Sequence, residues 1–215
     1  MTDIVRPPRP ARRPPPNAVA PIVDAGVAEV VDGVWHDADL DLDALGVTRL
    51  EIVRAEVQGV RISGDADIVI RDAHLDGCDL SGARVATLRR STVSRSKLVG
   101  LRLVEASWAD SVLDDVILRL ADGRRASWSR LGVEDCDLSE MDLSRSTLAD
   151  VSLTGCRLDR TRWTDVTAER VDLRGAAELA LVGITGLDGC VIDPSQLPAI
   201  APSLAAALGL TIDET

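Results

Sequence analysis

The sequence predicts an all-β solenoid built from five-residue units, closed at its C-terminal end by short helices. Three observations carry this. Every fifth residue from Val93 to Leu173 is a large apolar side chain, with Gly123 and Ala168 as the two exceptions. The chain has no Phe, no Tyr and only four Trp at a hydrophobic content of 46%. Its core must therefore consist of many similar aliphatic slots and not of the aromatic fillers usual in an irregular globular centre. Finally, the period slips after sets of four units, so the units are grouped. A period of five fits neither a 3.6-residue helix nor a two-residue strand alternation.

The segments follow in chain order. Residues 1–21 hold seven of the ten prolines together with Arg6, Arg9, Arg12 and Arg13. With no apolar stretch among them, they read as a disordered basic tail and not as a secretion signal. Arg12-Arg13 is followed by Pro14-Pro15-Pro16 where an export signal needs an apolar helix, so a cytoplasmic location is expected. Residues 22–39 read as an irregular N-terminal cap, with Val27, Val30, Val31 and Val34 as its apolar contacts.

The repeats span residues 40–192. A first block has its inward centres at Val47, Ile52, Val57 and Ile62, and a second at Ile70, Leu75, Leu80 and Val85; the long block then starts at Ser91. Asp65-Ala66-Asp67 and Leu88-Arg89-Arg90 separate the blocks and read as three-residue loops at one corner, which sets Asp65, Asp67, Arg89 and Arg90 side by side. A second inward slot lies two residues before each centre. It is small or apolar throughout, as at Ser91, Ser96, Ala106, Ser111, Cys136, Met141 and Cys156. Residues 193–215 change pattern: Asp193 or Ser195 can cap a short helix near 194–199, Pro202 opens another and Gly209 ends it. Leu197, Ile200, Leu204 and Leu208 then share a helical face, either as a lid on the last coil or as a dimerisation segment.

Units such as Cys136-Asp137-Leu138-Ser139-Glu140, Met141-Asp142-Leu143-Ser144-Arg145, Val171-Asp172-Leu173-Arg174-Gly175 and Cys78-Asp79-Leu80-Ser81-Gly82 resemble the A(D/N)LXX repeat of the pentapeptide-repeat family. That resemblance implies a right-handed quadrilateral β-helix with four units per coil. Seven or so coils stacked at about 4.8 Å would make a rod about 35 Å long. Within it, Trp128 is expected to fill the space left by Gly123, and Trp163 that left by Ala168, since interiors tolerate volume-conserving exchanges best.

Candidate chemistry is sparse. His36 and His74 lie near no nucleophile at a recognisable elbow. Cys78, Cys136, Cys156 and Cys190 form no CxxC pair and have no nearby histidine, so neither a metal nor a cofactor is expected. Cys136 and Cys156 stack one coil apart, better as small fillers than as a redox bridge; Trp108 and Trp128 stack likewise, at core positions. The protein reads as non-enzymatic.

Charge gives the remaining clue. The net charge is −11, from 35 acidic and 24 basic residues, which argues against general binding of nucleic acid or anionic membrane. Asp114, Asp115, Glu134 and Asp135 stack on one face, and Arg124 and Arg125 add a basic pair. These six residues are the candidate interaction surface for an unidentified protein partner. The resemblance offers a sharper alternative: an acidic rod that mimics DNA and modulates DNA gyrase, by topoisomerase inhibition or quinolone protection. It also implies a homodimer formed through the C-terminal segment.

Overall fold

The computed structural model describes residues 21–184 and 186–211; of the expected tail at 1–21, residues 1–20 lie outside them. The chain winds as a right-handed quadrilateral β-helix of about eight turns. Side one of successive coils is formed by the strands Val27–Val31, Arg49–Val53, Asp67–Arg71, Arg84–Arg89, Ser107–Asp114, Ser127–Glu134, Thr147–Thr154 and Thr167–Asp172. They pair in parallel from coil to coil. The three long strands Ser107–Asp114, Ser127–Glu134 and Thr147–Thr154 run on into side two.

Every fifth residue points into one shared interior. Val30, Ile52, Ile70, Leu88, Trp108, Trp128, Leu148 and Ala168 form a single column on side one. Leu138, Leu143, Leu148, Leu153 and Leu158 are fully buried, and each such side chain contributes roughly 1.5–3 kcal/mol over exposure. Trp108 and Trp128 are core residues, with ring centroids 5.6 Å apart and planes 6° from parallel.

The second slot is small for a reason beyond volume. At Ala73, Cys78, Ser91 and Val116 a hydroxyl or thiol from the next coil accepts its backbone N–H. Ser91 N–H donates to Ser111 Oγ at 3.1 Å, and that hydroxyl donates to the Ala109 carbonyl at 2.8 Å. Ala73 N–H donates to Ser91 Oγ at 3.1 Å, and Cys78 N–H to Ser96 Oγ at 3.0 Å. Buried amides left without such partners are costly.

Four expectations need correction. The phase breaks are not inserted loops. Ile52 pairs with Ile70 and Ile70 with Leu88, steps of 18, whereas Leu88 pairs with Trp108, a step of 20. Removing two residues and adding three leave a five-residue period in the same frame, and these coils were shortened on their fourth side. Ala66 and Leu88 are accordingly core residues. Asp65 and Asp67 lie against Arg102 and Arg84, while Arg89 and Arg90 lie at the far end of the strand beside Arg71 and Asp72.

The second correction concerns residues 22–39, which are not irregular. Strands at Val27–Val31, Val34–His36 and Asp39–Asp41 form a full first coil, 22 residues from the next. An antiparallel strand, Ile22–Asp24, covers its open edge, as exposed sheet edges require. Third, the atoms nearest to a side chain at Gly123 belong to Met141 and Leu143 in the next coil, at 2.8 and 3.1 Å, and not to Trp128.

Fourth, the C-terminal segment is one helix, α1 (Leu197–Ala207), after a 3₁₀ turn at Pro194–Gln196; Pro202 lies inside α1 instead of opening a second helix. The segment sits on the last coil. The Gln196 side-chain amide donates to the carbonyls of Leu173 and Ala176 at 2.9 and 2.8 Å, and Ser203 Oγ donates to that of Leu181 at 2.7 Å. Ile200 is buried beneath it.

Candidate interaction surfaces

The corners of the coil carry the chemistry. From Arg95 to Gly175 every fifth residue has a positive φ, for example +60° at Glu105, +59° at Leu120 and +61° at Arg125. This left-handed geometry turns the chain through each corner and aims the corner side chain outward. Because coils stack in register, each corner becomes a column of side chains spaced about 4.8 Å apart.

The corner after side one is an alternating ladder that sequence reasoning missed: Asp32, Arg54, Asp72, Arg90, Asp110, Arg130, Asp150, Arg170. Arg54 pairs with Asp32, Arg90 with Asp72, Arg130 with Asp110 and Arg170 with Asp150. Arg90 engages both oxygens of Asp72, at 2.6 and 2.7 Å. Hydrogen bonding from Arg90, Arg130 and Arg170 holds Asp72, Asp110 and Asp150 below the usual carboxylate range, and the arginine of the preceding pair adds to the shift. The signal was the 20-residue spacing of Asp110, Arg130, Asp150 and Arg170.

The corner after side two is its opposite in character. Asp114 and Glu134 are paired positions on adjacent strands. Asp115 and Asp135 stand at the corner itself, their amides donating to the carbonyls of Glu134 and Thr154 at 3.1 and 2.9 Å. None of these four carboxylates has an ion-pair or hydrogen-bond partner among the described residues. Arg95, one coil away, is held by Asp76.

Arg124 and Arg125 belong elsewhere, on side four and its corner, diagonally across the coil. Arg124 engages both oxygens of Asp122, at 2.8 and 2.7 Å, and Arg125 pairs with Glu105 at 2.6 Å. The six candidate residues therefore form two surfaces.

The thiols are structural in setting. Cys136 Sγ accepts from Val116 N–H at 3.4 Å and donates to the Glu134 carbonyl at 3.1 Å; Cys156 Sγ donates to that of Val133 at 3.3 Å. The neighbouring Cys156 thiol and burial push Cys136 up, and burial pushes Cys190 up to about 12. Among the described residues no group of three or more His, Cys, Asp or Glu side chains is placed to hold a metal ion.

The repeat geometry has a sequence counterpart. A family model for pentapeptide repeats matches residues 134–162, with eight copies. The chain is a pentapeptide-repeat protein. Solved structures of this kind include QnrB1, described as a plasmid-mediated fluoroquinolone resistance protein: identity 18%, coverage 86% of this chain and 91% of that one, TM-score 0.46. HetL, from the cyanobacterium Nostoc sp. strain PCC 7120 and described as involved in heterocyst differentiation regulation, is 22% identical over 76% of this chain and 82% of its own, with TM-score 0.30. A pentapeptide repeat protein from the Arabidopsis thaliana thylakoid lumen is 19% identical over 60% and 75%, with TM-score 0.24. No curated protein matches this pentapeptide-repeat chain.

Proposed function

We propose that this pentapeptide-repeat protein is a non-enzymatic scaffold, cytoplasmic in location, that offers a preformed acidic corner to a protein partner. The observation that carries the reading is the quartet Asp114, Asp115, Glu134 and Asp135. Around it the corner ladder and other surface pairs hold arginine against carboxylate, while these four meet no cation among the described residues. Backbone hydrogen bonds between coils fix their spacing, so a partner loses little entropy in ordering them. The complementary partner presents clustered Lys or Arg side chains at matching intervals.

The DNA-mimic alternative makes a different demand. Duplex DNA carries one charge per roughly 1.7 Å of axis, so a mimic needs a long unneutralised acidic column. Here the acidic corner extends over two adjacent coils, and the neighbouring Asp/Arg ladder is electrically neutral. The interaction scaffold is therefore the favoured reading, and gyrase is one partner to test. A homodimer through α1 also belongs to this proposal. Leu197, Leu208 and Leu210 are exposed at that end, and light scattering of a chain ending at Pro194 tests it, with loss of the dimer expected.

The acidic corner is tested with one variant in two assays. Asp114→Asn, Asp115→Asn, Glu134→Gln and Asp135→Asn together remove the charge with little change in shape. Partner capture from the native cell is expected from the parent chain and not from the variant. Inhibition of gyrase supercoiling by the parent chain and not by the variant would favour the mimic instead. Equal capture by both proteins would refute the acidic corner as the docking surface.

A further inference from the structure

Diagonally across from the acidic corner, side four carries an open hollow walled by Arg124, Arg125, Arg145 and Arg162, with Ser144 and Thr164 in its lining. On a chain of net charge −11, four guanidinium groups converge there around one lining carboxylate, Asp142. Ser144 and Thr164 occupy the same position on adjacent coils, since Arg125 N–H donates to the Ser144 carbonyl and Arg145 N–H to that of Thr164, at 3.1 and 2.9 Å. Their hydroxyls make no hydrogen bond among the described residues.

We propose that this hollow is a binding site for a phosphoryl dianion. The four arginines divide into two kinds. Arg124 and Arg125 are committed to Asp122 and Glu105 by short contacts and act as fixed walls. Arg145 and Arg162 are not: their carboxylates stand at 3.9 Å (Asp165) and 3.7 Å (Asp142), beyond hydrogen-bond distance. Both guanidinium groups can swing onto a ligand without breaking a hydrogen bond to those partners.

The chemistry selects the ligand. A monoanionic carboxylate competes on equal terms with Asp142 and gains nothing by displacing it. A phosphoryl dianion brings more charge and three acceptor oxygens. It can take charge-assisted bonds from both arginines while the Ser144 and Thr164 hydroxyls donate from the floor. A nucleic-acid polyanion is disfavoured, because the chain as a whole carries a net charge of −11 and repels it. The shared chemistry is one isolated phosphoryl group, free or carried on a phosphorylated side chain. The site is independent of the acidic corner, and the two proposals fail separately.

The test is calorimetric titration of the full chain with inorganic phosphate, and with a phosphoserine peptide beside its unphosphorylated counterpart. Saturable binding of phosphate is expected, with the phosphopeptide tighter if the group comes from a protein and no tighter if it comes free. The double variant Arg145→Gln, Arg162→Gln should weaken binding by about tenfold or more. Asp142→Asn should tighten it, because it removes the competing charge and keeps the turn, in which residue 142 accepts the Ser144 N–H at 2.9 Å. Arg119→Gln, on side three, should leave binding unchanged. Thermal melts establish that each variant is folded. Absence of saturable binding, or equal affinity in the parent and the folded double variant, would overturn the proposal.

Discussion

Leu120 is the clearest conflict between a residue and its place. It stands at a corner with φ +59° and its side chain is 54% exposed, so it bears left-handed strain without burying its methyl groups. Only glycine, and to a lesser degree Asn and Asp, adopts that conformation easily. Leu120→Asn should therefore raise unfolding stability by about 1 kcal/mol in denaturant melts; a loss of stability would mean that this corner is not left-handed in solution. Gly123 presents the converse case. Any Cβ there meets the end of Met141 at 2.8 Å, so Gly123→Leu should cost about 1–3 kcal/mol through overpacking. Adding Met141→Ala should recover much of that, because the volume is returned where it was taken. Adding Trp128→Leu should not, and rescue by that exchange would put the indole back over position 123.

At the scale of the element, the corner ladder links charge to folding. Asp32, Asp72, Asp110 and Asp150 all have carboxyls held below their ordinary range by the arginine that hydrogen-bonds each one. A depressed folded pKa adds stability that is complete above the unfolded value of about 3.9 and is lost as pH falls through the folded value. Melting temperature should therefore hold steady from neutral pH down to about pH 5 and drop below about pH 4, with a smaller drop in high salt, because these pairs are exposed and screened. An acid-insensitive melting temperature would count against the ladder. The inward centres were legible in the sequence because large apolar side chains recur there at every fifth residue. The direction of the phase breaks was not, since a coil two residues short and one three residues long read identically; pairing of Ile70 with Leu88 decides between them. The first coil was hidden for a similar reason: Val30, Trp35 and Leu40 keep the five-residue spacing, but the 22-residue step to the next coil breaks its continuity with Ile52. The ladder was legible in principle, at the 20-residue period rather than at five.

The whole molecule is a rod in which sequence position converts directly into distance. Four corners give it distinct columns. The one after side one is neutralised by alternation, and the one after side two has an acidic quartet with no ion-pair partner among the described residues. Across the diagonal lie Arg124 and Arg125 with the hollow. Both proposed surfaces depend on that conversion, because their side chains come from different coils and meet only if the coils stack in register. Spin labels at position 58 paired in turn with 114, 134 and 154, on a chain whose native cysteines are replaced by alanine, measure it directly. The pulsed dipolar distances should lengthen by about 4.8 Å with each additional coil. Distances that do not grow in equal steps, or that spread too broadly to resolve them, would contradict it.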